Sequence, residues 1–232
     1  MIAILSDIHG NAAALRAVLS DADKYRCQRF ISLGDVAGYY ADINECIELL
    51  MERSALNILG NHDSYLISGS GCPRSDSANR CLQHQKAVVS AESLAWLKRS
   101  APRLDLGSAS LVHGGWEDSL DEYVVRISSH YFERFPYKQF FSGHTHVQIL
   151  ADLGTQVYCN PGSVGQPRDG DWRAAYALFD GSTGEIMLRR VEYDIGPTAK
   201  AMQKAGFPEY FFSNLYKGTR IGGAISEVRI AR

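Results

Sequence analysis

Short apolar runs alternate with helical periods through the first sixty residues. Ile2-Ala3-Ile4-Leu5 reads as a buried strand. Residues 12–22 place Leu15, Val18 and Leu19 at helical spacing behind a capping Asn11. Residues 30–33 form a second apolar run, residues 43–51 a second helical period with Ile47, Leu50 and Met51 on one face, and residues 55–59 a third run. This β-α-β-α-β order predicts parallel pairing through right-handed crossovers. Further on, residues 78–90 and 91–99 carry helical periods, and residues 109–112, 139–141, 148–151 and 156–159 read as strands. Residues 174–179 and 185–193 flank Asp180-Gly181-Ser182-Thr183-Gly184 as an antiparallel pair. Residues 197–216 read as helical with a break near Gly206, and a tail over 218–232 carries Gly222-Gly223 and is expected to be mobile. The stretch 64–106 is the least legible. No repeat or linker divides the chain, so one domain over 1–232 is expected.

Composition narrows the class. The chain has 232 residues, 45% of them hydrophobic and 22% charged, with a formal net charge of −2. That balance excludes intrinsic disorder and fits a soluble globular protein. It also argues against a general nucleic-acid binder, which would show a basic face. No run approaches the ~18 apolar residues of a membrane span, and Met1 leads straight into the first strand instead of a leader peptide. Five scattered cysteines without a C-x-x-C pair read as reduced thiols of a cytoplasmic protein, with a Cys72–Cys81 bridge as the minor alternative.

Polar chemistry gathers where the apolar runs stop. Asp7 and His9 follow the first, Asp35 the second, and Asn61-His62-Asp63 the third. His113 follows the run at 109–112, and His144 and His146 follow that at 139–141. Five of the seven histidines sit in these glycine-flanked endings, and sites in α/β sheets assemble at the carboxyl ends of strands. Asp7 and His9, two apart on an extended backbone, would point the same way, as would His144 and His146. Nitrogen and carboxylate donors without a thiolate suit Mn²⁺, Fe²⁺, Ni²⁺ or Zn²⁺. His84 and His130 stand outside the pattern.

The ordered series Asp7-x-His9, Gly34-Asp35, Gly60-Asn61-His62-Asp63, His113-Gly114 and Gly143-His144-x-His146 resembles the calcineurin-like metallophosphoesterase superfamily. The stretch from Asn160 to Arg168 resembles its small prokaryotic phosphodiesterase branch. The resemblance implies an α/β fold, a four-layer α/β/β/α sandwich of two mixed β-sheets flanked by helices. It implies two divalent metal ions, one held by Asp7, His9, Asp35 and His146 and the other by Asp35, Asn61, His113 and His144. It implies hydrolysis of a small phosphate ester, a diester before a monoester, by in-line attack of a metal-bridging hydroxide. His62 would stabilise or protonate the departing oxygen, and Asp63 would orient His62 and favour its charged form, or else cap a turn.

Arg168 reads equally as a phosphate contact and as a surface arginine, and Tyr39, Tyr40, Trp172 and Arg173 as cleft or packing residues. Gly34-Asp35 lacks the Asp-Arg-Gly that follows in protein phosphatases and symmetrical dinucleotide hydrolases, which argues against protein phosphatase activity. The alternatives are a catalytically idle metal-binding scaffold for protein partners, a nuclease, or a dinucleotide polyphosphate hydrolase. Native metal, substrate and any homo-oligomer are left open.

Overall fold

The computed structural model describes residues 1–231. Two mixed five-stranded sheets lie face to face. The first contains β1 (Ile2–Leu5), β2 (Arg29–Ser32), β3 (Leu56–Asn57), β10 (Ala174–Phe179) and β11 (Ile186–Val191), in the order β11-β10-β1-β2-β3. The second contains β4 (Leu104–Leu106), β5 (Ala109–Leu111), β7 (Gln139–Phe141), β8 (Ile149–Asp152) and β9 (Val157–Asn160), in the order β4-β5-β7-β9-β8. β1, β2 and β3 pair in parallel, as do β5, β7 and β9. A short parallel pair joins β6 (Arg126–Ile127) to β12 (Arg229–Ile230). The helices are α1 (Ala12–Lys24), α2 (Ile43–Glu52), α3 (Asn61–Ser68), α4 (Asp76–Val88), α5 (Ala91–Leu97), α6 (Ser129–Phe132) and α7 (Gly196–Lys204).

The two-residue period of each strand sorts its side chains between layers. On β1, Ile2 and Ile4 face the second sheet while Ala3 and Leu5 face the helices. On β10, Ala177 and Phe179 point into the sandwich, while Tyr176 and Leu178 point toward α1. Phe141 and Cys159 complete the middle layer from the second sheet. Phe140 and Tyr158 turn outward to meet Phe132 of α6 and the ring of Trp116. α1 forms where Asn11 Oδ1 accepts from the amide of Ala14 at 3.1 Å, and it buries Leu15, Val18 and Leu19. The result is the expected four-layer sandwich, with a thin outer layer over the second sheet.

Several expectations shift. The third run contributes only two ladder residues: Ile58 N still donates to Ser32 O of β2, but Leu59 N donates to Ala101 O and Ile58 forms an isolated bridge with Ala101. Asn61-His62-Asp63 opens a helix, α3, capped by Gly60. The predicted helix over 197–216 stops at Lys204, and two 3-10 turns (Glu209–Phe211 and Ser213–Lys217) follow the left-handed Gly206. The described part of the tail, residues 218–231, is packed against the fold. Gly218 O accepts from Gly170, Ser226 N donates to Arg168 O at 2.7 Å, and β12 pairs with β6. Cys72 and Cys81 are free thiols.

Candidate metal centre and cleft

The carboxyl ends of β1, β2, β5 and β7 and the first turn of α3 meet at one edge of the sandwich. Asp7, His9, Asp35, His144 and His146 all adopt left-handed backbone there, with φ between 53° and 65°. This corrects the extended-strand reading of the D-x-H and H-x-H pairs. Each strand ends in a sharp reversal, and the reversals interlock. Asp7 N donates to Gly34 O at 3.0 Å, and His9 N to Asp35 O at 2.9 Å.

The side chains form two triads, Asp7–His9–His146 and Asp35–His113–His144, each with its ligating atoms within 4.8 Å of one another. In the first, His9 Nε2 and His146 Nε2 are 3.1 Å apart, and Asp7 Oδ1 lies 3.3 Å from His146 Nε2. His9 Nδ1 donates to Ala37 O at 2.7 Å and His146 Nδ1 to Gln166 O at 2.6 Å. A carbonyl only accepts, so these two nitrogens carry the protons and the Nε2 lone pairs face each other. Burial holds both imidazoles neutral by pushing their pKa values down. Asp7 Oδ2 accepts from Ser6 and His144 N, whereas buried Oδ1 has no donor. Opposed lone pairs beside an orphaned carboxylate oxygen fit a divalent cation.

In the second triad, His113 Nε2 lies 3.0 Å from Asn61 Oδ1, 3.2 Å from His144 Nδ1 and 3.5 Å from Asp35 Oδ2. Burial lowers the pKa of His113, but Asp35 outweighs it and raises it to about 9. A cation binding there would displace this proton. Asp35 Oδ1 accepts from His62 N at 2.8 Å. Its Oδ2 also lies 3.8 Å from His9 Nε2 of the other triad, so one carboxylate oxygen faces both clusters.

His62 lies against both clusters, with its ring centre 5.0 Å from that of His9. Burial is the main reason its pKa falls to about 4, which leaves a neutral ring. Asp63 does not hold it. The Asp63 carboxylate accepts from the amides of Ala37 (2.8 Å), Asp35 (3.0 Å) and Gly60 (3.3 Å), while His62 Nδ1 has no partner. The expectation that Asp63 orients and charges His62 is thus corrected. Asp63 fastens the loop after β2 to the start of α3. A Cβ on Gly38 would fall 2.6 Å from His9 Nδ1 and 2.7 Å from His62 Nδ1, so only glycine allows this approach.

The end of β9 and the stretch after it brace the loops that carry the triads. Asn160 Nδ2 donates to Gly143 O, and Ser163 Oγ donates to Asp7 O. Arg168 is 4% exposed and faces a cavity of about 540 Å³ that opens from Asn61 and His62. Tyr39 lines it, whereas Tyr40 is buried, Trp172 packs near Tyr193, and Arg173 pairs with Asp171. His84 lies edge-on to Phe207, and His130 is exposed beside Glu133.

Sequence reasoning missed three contributors. Tyr123 lies over His144 with ring centres 3.8 Å apart. Asp121, ion-paired with Arg74, is the carboxylate facing His144 Nε2 at 3.6 Å. Arg220 of the tail reaches the cavity. These sit in irregular segments, where no periodicity marks them.

Residues 1–184 match the family model of the calcineurin-like phosphoesterase superfamily domain. The chain is 32% identical to an uncharacterized protein of Methanocaldococcus jannaschii, over 94% of this chain and 98% of that one. It resembles the crystal structure of a metallophosphoesterase from Sphaerobacter thermophilus, with 33% identity, a TM-score of 0.81, and 94% and 99% of the two chains covered. A hypothetical protein from Pyrococcus horikoshii OT3 shares the fold at 22% identity and a TM-score of 0.84, over 94% of this chain and 99% of that one. No helix among the described residues is long and apolar enough to cross a membrane. With its ligand series, facing sheets and extended match, the chain belongs to the calcineurin-like phosphoesterase superfamily.

Proposed function

We propose that the protein is a binuclear metal-dependent phosphodiesterase acting on a small phosphate ester. The observation that carries this is the pair of triads with Asp35 Oδ2 facing both, next to a cavity that opens from Asn61 and His62 and has no carboxylate in its lining among the described residues. Asp7, His9, Asp35 and His146 would hold one ion, and Asp35, Asn61, His113 and His144 the other. Bound there, the ions would supply Lewis-acid activation of water and neutralise phosphate charge.

The chain's own residues supply the rest. His62 is neutral, so it serves as a hydrogen-bond donor to a phosphate or departing oxygen. Arg168 offers guanidinium donors to an anionic group of the substrate in the cavity from a buried position. In hydrolysis, the oxygen of water bonds to phosphorus, the bond to the ester oxygen breaks, and that oxygen departs with a proton. A cavity of about 540 Å³ gives room for organic groups on both sides of a diester. The presence of His62 in the cleft disfavours an idle scaffold.

The test is hydrolysis of bis-p-nitrophenyl phosphate and p-nitrophenyl phosphate after loading with Mn²⁺, Ni²⁺, Fe²⁺ or Zn²⁺. The diester should be the better substrate, and a chelator should abolish turnover. His62→Ala should keep both ions by elemental analysis and lose about 100-fold or more in kcat. Inactivity with every ion would refute the reading.

A further inference from the structure

We propose that the cleft selects phosphoesters carrying a second phosphate group, which the pair Arg168 and Arg220 binds beside the scissile position. The proposal rests on the phosphoesterase reading above and names its substrate class.

Of the arginines that line the cavity, Arg74 is paired with Asp121, whereas Arg168 and Arg220 have no carboxylate partner among the described residues. Arg53, Arg74, Arg173, Arg189 and Arg190 each pair with an aspartate. Arg168 is almost fully buried and has no carboxylate partner among the described residues. Its Nε and Nη2 both donate to one acceptor, Gln166 Oε1, at 2.9 and 2.7 Å. A guanidinium has five N–H donors, so three are left over. A buried cation without a counter-charge is costly, and an anion entering the cavity would remove that cost.

Arg220 lines the same cavity from the rim and also lacks a carboxylate partner among the described residues. After burial, repulsion from Arg168 is the main cause that lowers its pKa, so the two cations feel each other. Their relative position is built in. Arg220 Nε donates to Ser226 Oγ at 2.9 Å, and Ser226 N donates to Arg168 O at 2.7 Å. Arg220 belongs to the tail, beyond the residues 1–184 that match the family model.

Charge decides what the pair is for. The scissile phosphate faces the metal cluster, whose ions would already neutralise it. A diester brings only one negative charge, whereas a terminal phosphate adds about −1.5 to −2 at pH 7. Two guanidiniums with spare donors match such a group in charge and in fork geometry. A neutral substituent there would leave the buried Arg168 uncompensated.

The experiment compares two esters with the metal-loaded enzyme. One is the p-nitrophenyl ester of thymidine monophosphate. The other carries a further phosphate on the remaining sugar hydroxyl. The wild type should favour the second by about tenfold or more in kcat/KM, and Arg220→Gln should bring that ratio close to unity. A wild-type ratio near unity, or an equal loss on both esters in Arg220→Gln, would overturn the proposal. Calorimetric binding of thymidine bisphosphate against thymidine monophosphate gives a readout independent of turnover. A binding preference that Arg220→Gln removes, with neither ester cleaved, would sustain the selectivity while refuting the phosphodiesterase reading. Equal binding of the two nucleotides would refute the selectivity.

Discussion

Left-handed backbone outside glycine costs of order 1–3 kcal/mol per residue and persists only where surroundings enforce it. Here it is concentrated on Asp7, His9, Asp35, His144 and His146. Short polar side chains tolerate this region best, so the residue types that ligate metals are also those that permit these turns. Asp35 is the most demanding position. One of its oxygens accepts from His62 N and the other faces both triads. Asp35→Asn would preserve shape and remove the charge shared by two cations. Both ions should bind at least ~10-fold more weakly, as measured by elemental analysis after dialysis against Mn²⁺. Unchanged occupancy of both sites would refute a shared carboxylate. The ligand types were legible residue by residue. The role of Asp63 was not, because a carboxylate next to a histidine in sequence bonds whichever amides the fold brings to it.

At the scale of elements, α1 is tied to the first sheet by more than its apolar face. Asp21 accepts from Tyr176 Oη of β10 at 2.9 Å and pairs with Arg189 of β11 at 3.1 Å. Burial raises its pKa, but bonds from Tyr176, Arg189 and Lys24 outweigh that and hold it below the usual 3.8. Asp21→Asn should therefore cost about 1–3 kcal/mol in denaturant unfolding at neutral pH. A depressed native pKa stabilises the fold above the unfolded value and ceases to do so as pH falls through the native one. The gap between wild type and variant should thus be flat from pH 5 to 8 and shrink below about pH 4. A gap that widened on acidification would contradict this. α1 and α2 were readable because each buries one face over several residues, and β1 and β10 because each is a short apolar run buried on both faces. β4, β6 and β12 were not, because two or three residues carry no period. α3 escaped because its first turn belongs to the site, and function rather than amphipathic patterning selected its residues.

For the whole molecule, the centre joins both halves of the sandwich. Asp7, His9 and Asp35 come from the first sheet, and His113, His144 and His146 from the second. Lone pairs of His9 and His146 face each other, and Asp7 Oδ1 is buried without a donor among the described residues. Ion binding should therefore stabilise the entire fold. At a free concentration 100 times Kd, one site adds about 2.7 kcal/mol, a clear rise in Tm by differential scanning calorimetry. Asp35→Asn should lose most of that rise. A Tm indifferent to Mn²⁺, Ni²⁺, Fe²⁺ and Zn²⁺ would contradict a centre that clamps the two sheets.

The chain alone determined which residues could ligate and in what order, because these are local properties: an apolar strand, a glycine-flanked reversal, and an imidazole or carboxylate at the turn. It also determined the parallel core, since buried periods and crossover handedness are written along each segment. The family resemblance implied how the candidate ligands divide, and the tertiary structure supplies the geometric reason. His146 joins His9 across 137 positions because β1 and β7 end at the same edge of facing sheets. The tertiary structure decided that Asp63 serves the backbone and that Arg220 returns to the cleft. Such choices depend on which distant groups become neighbours once water is excluded, and no pattern along the chain encodes that distance.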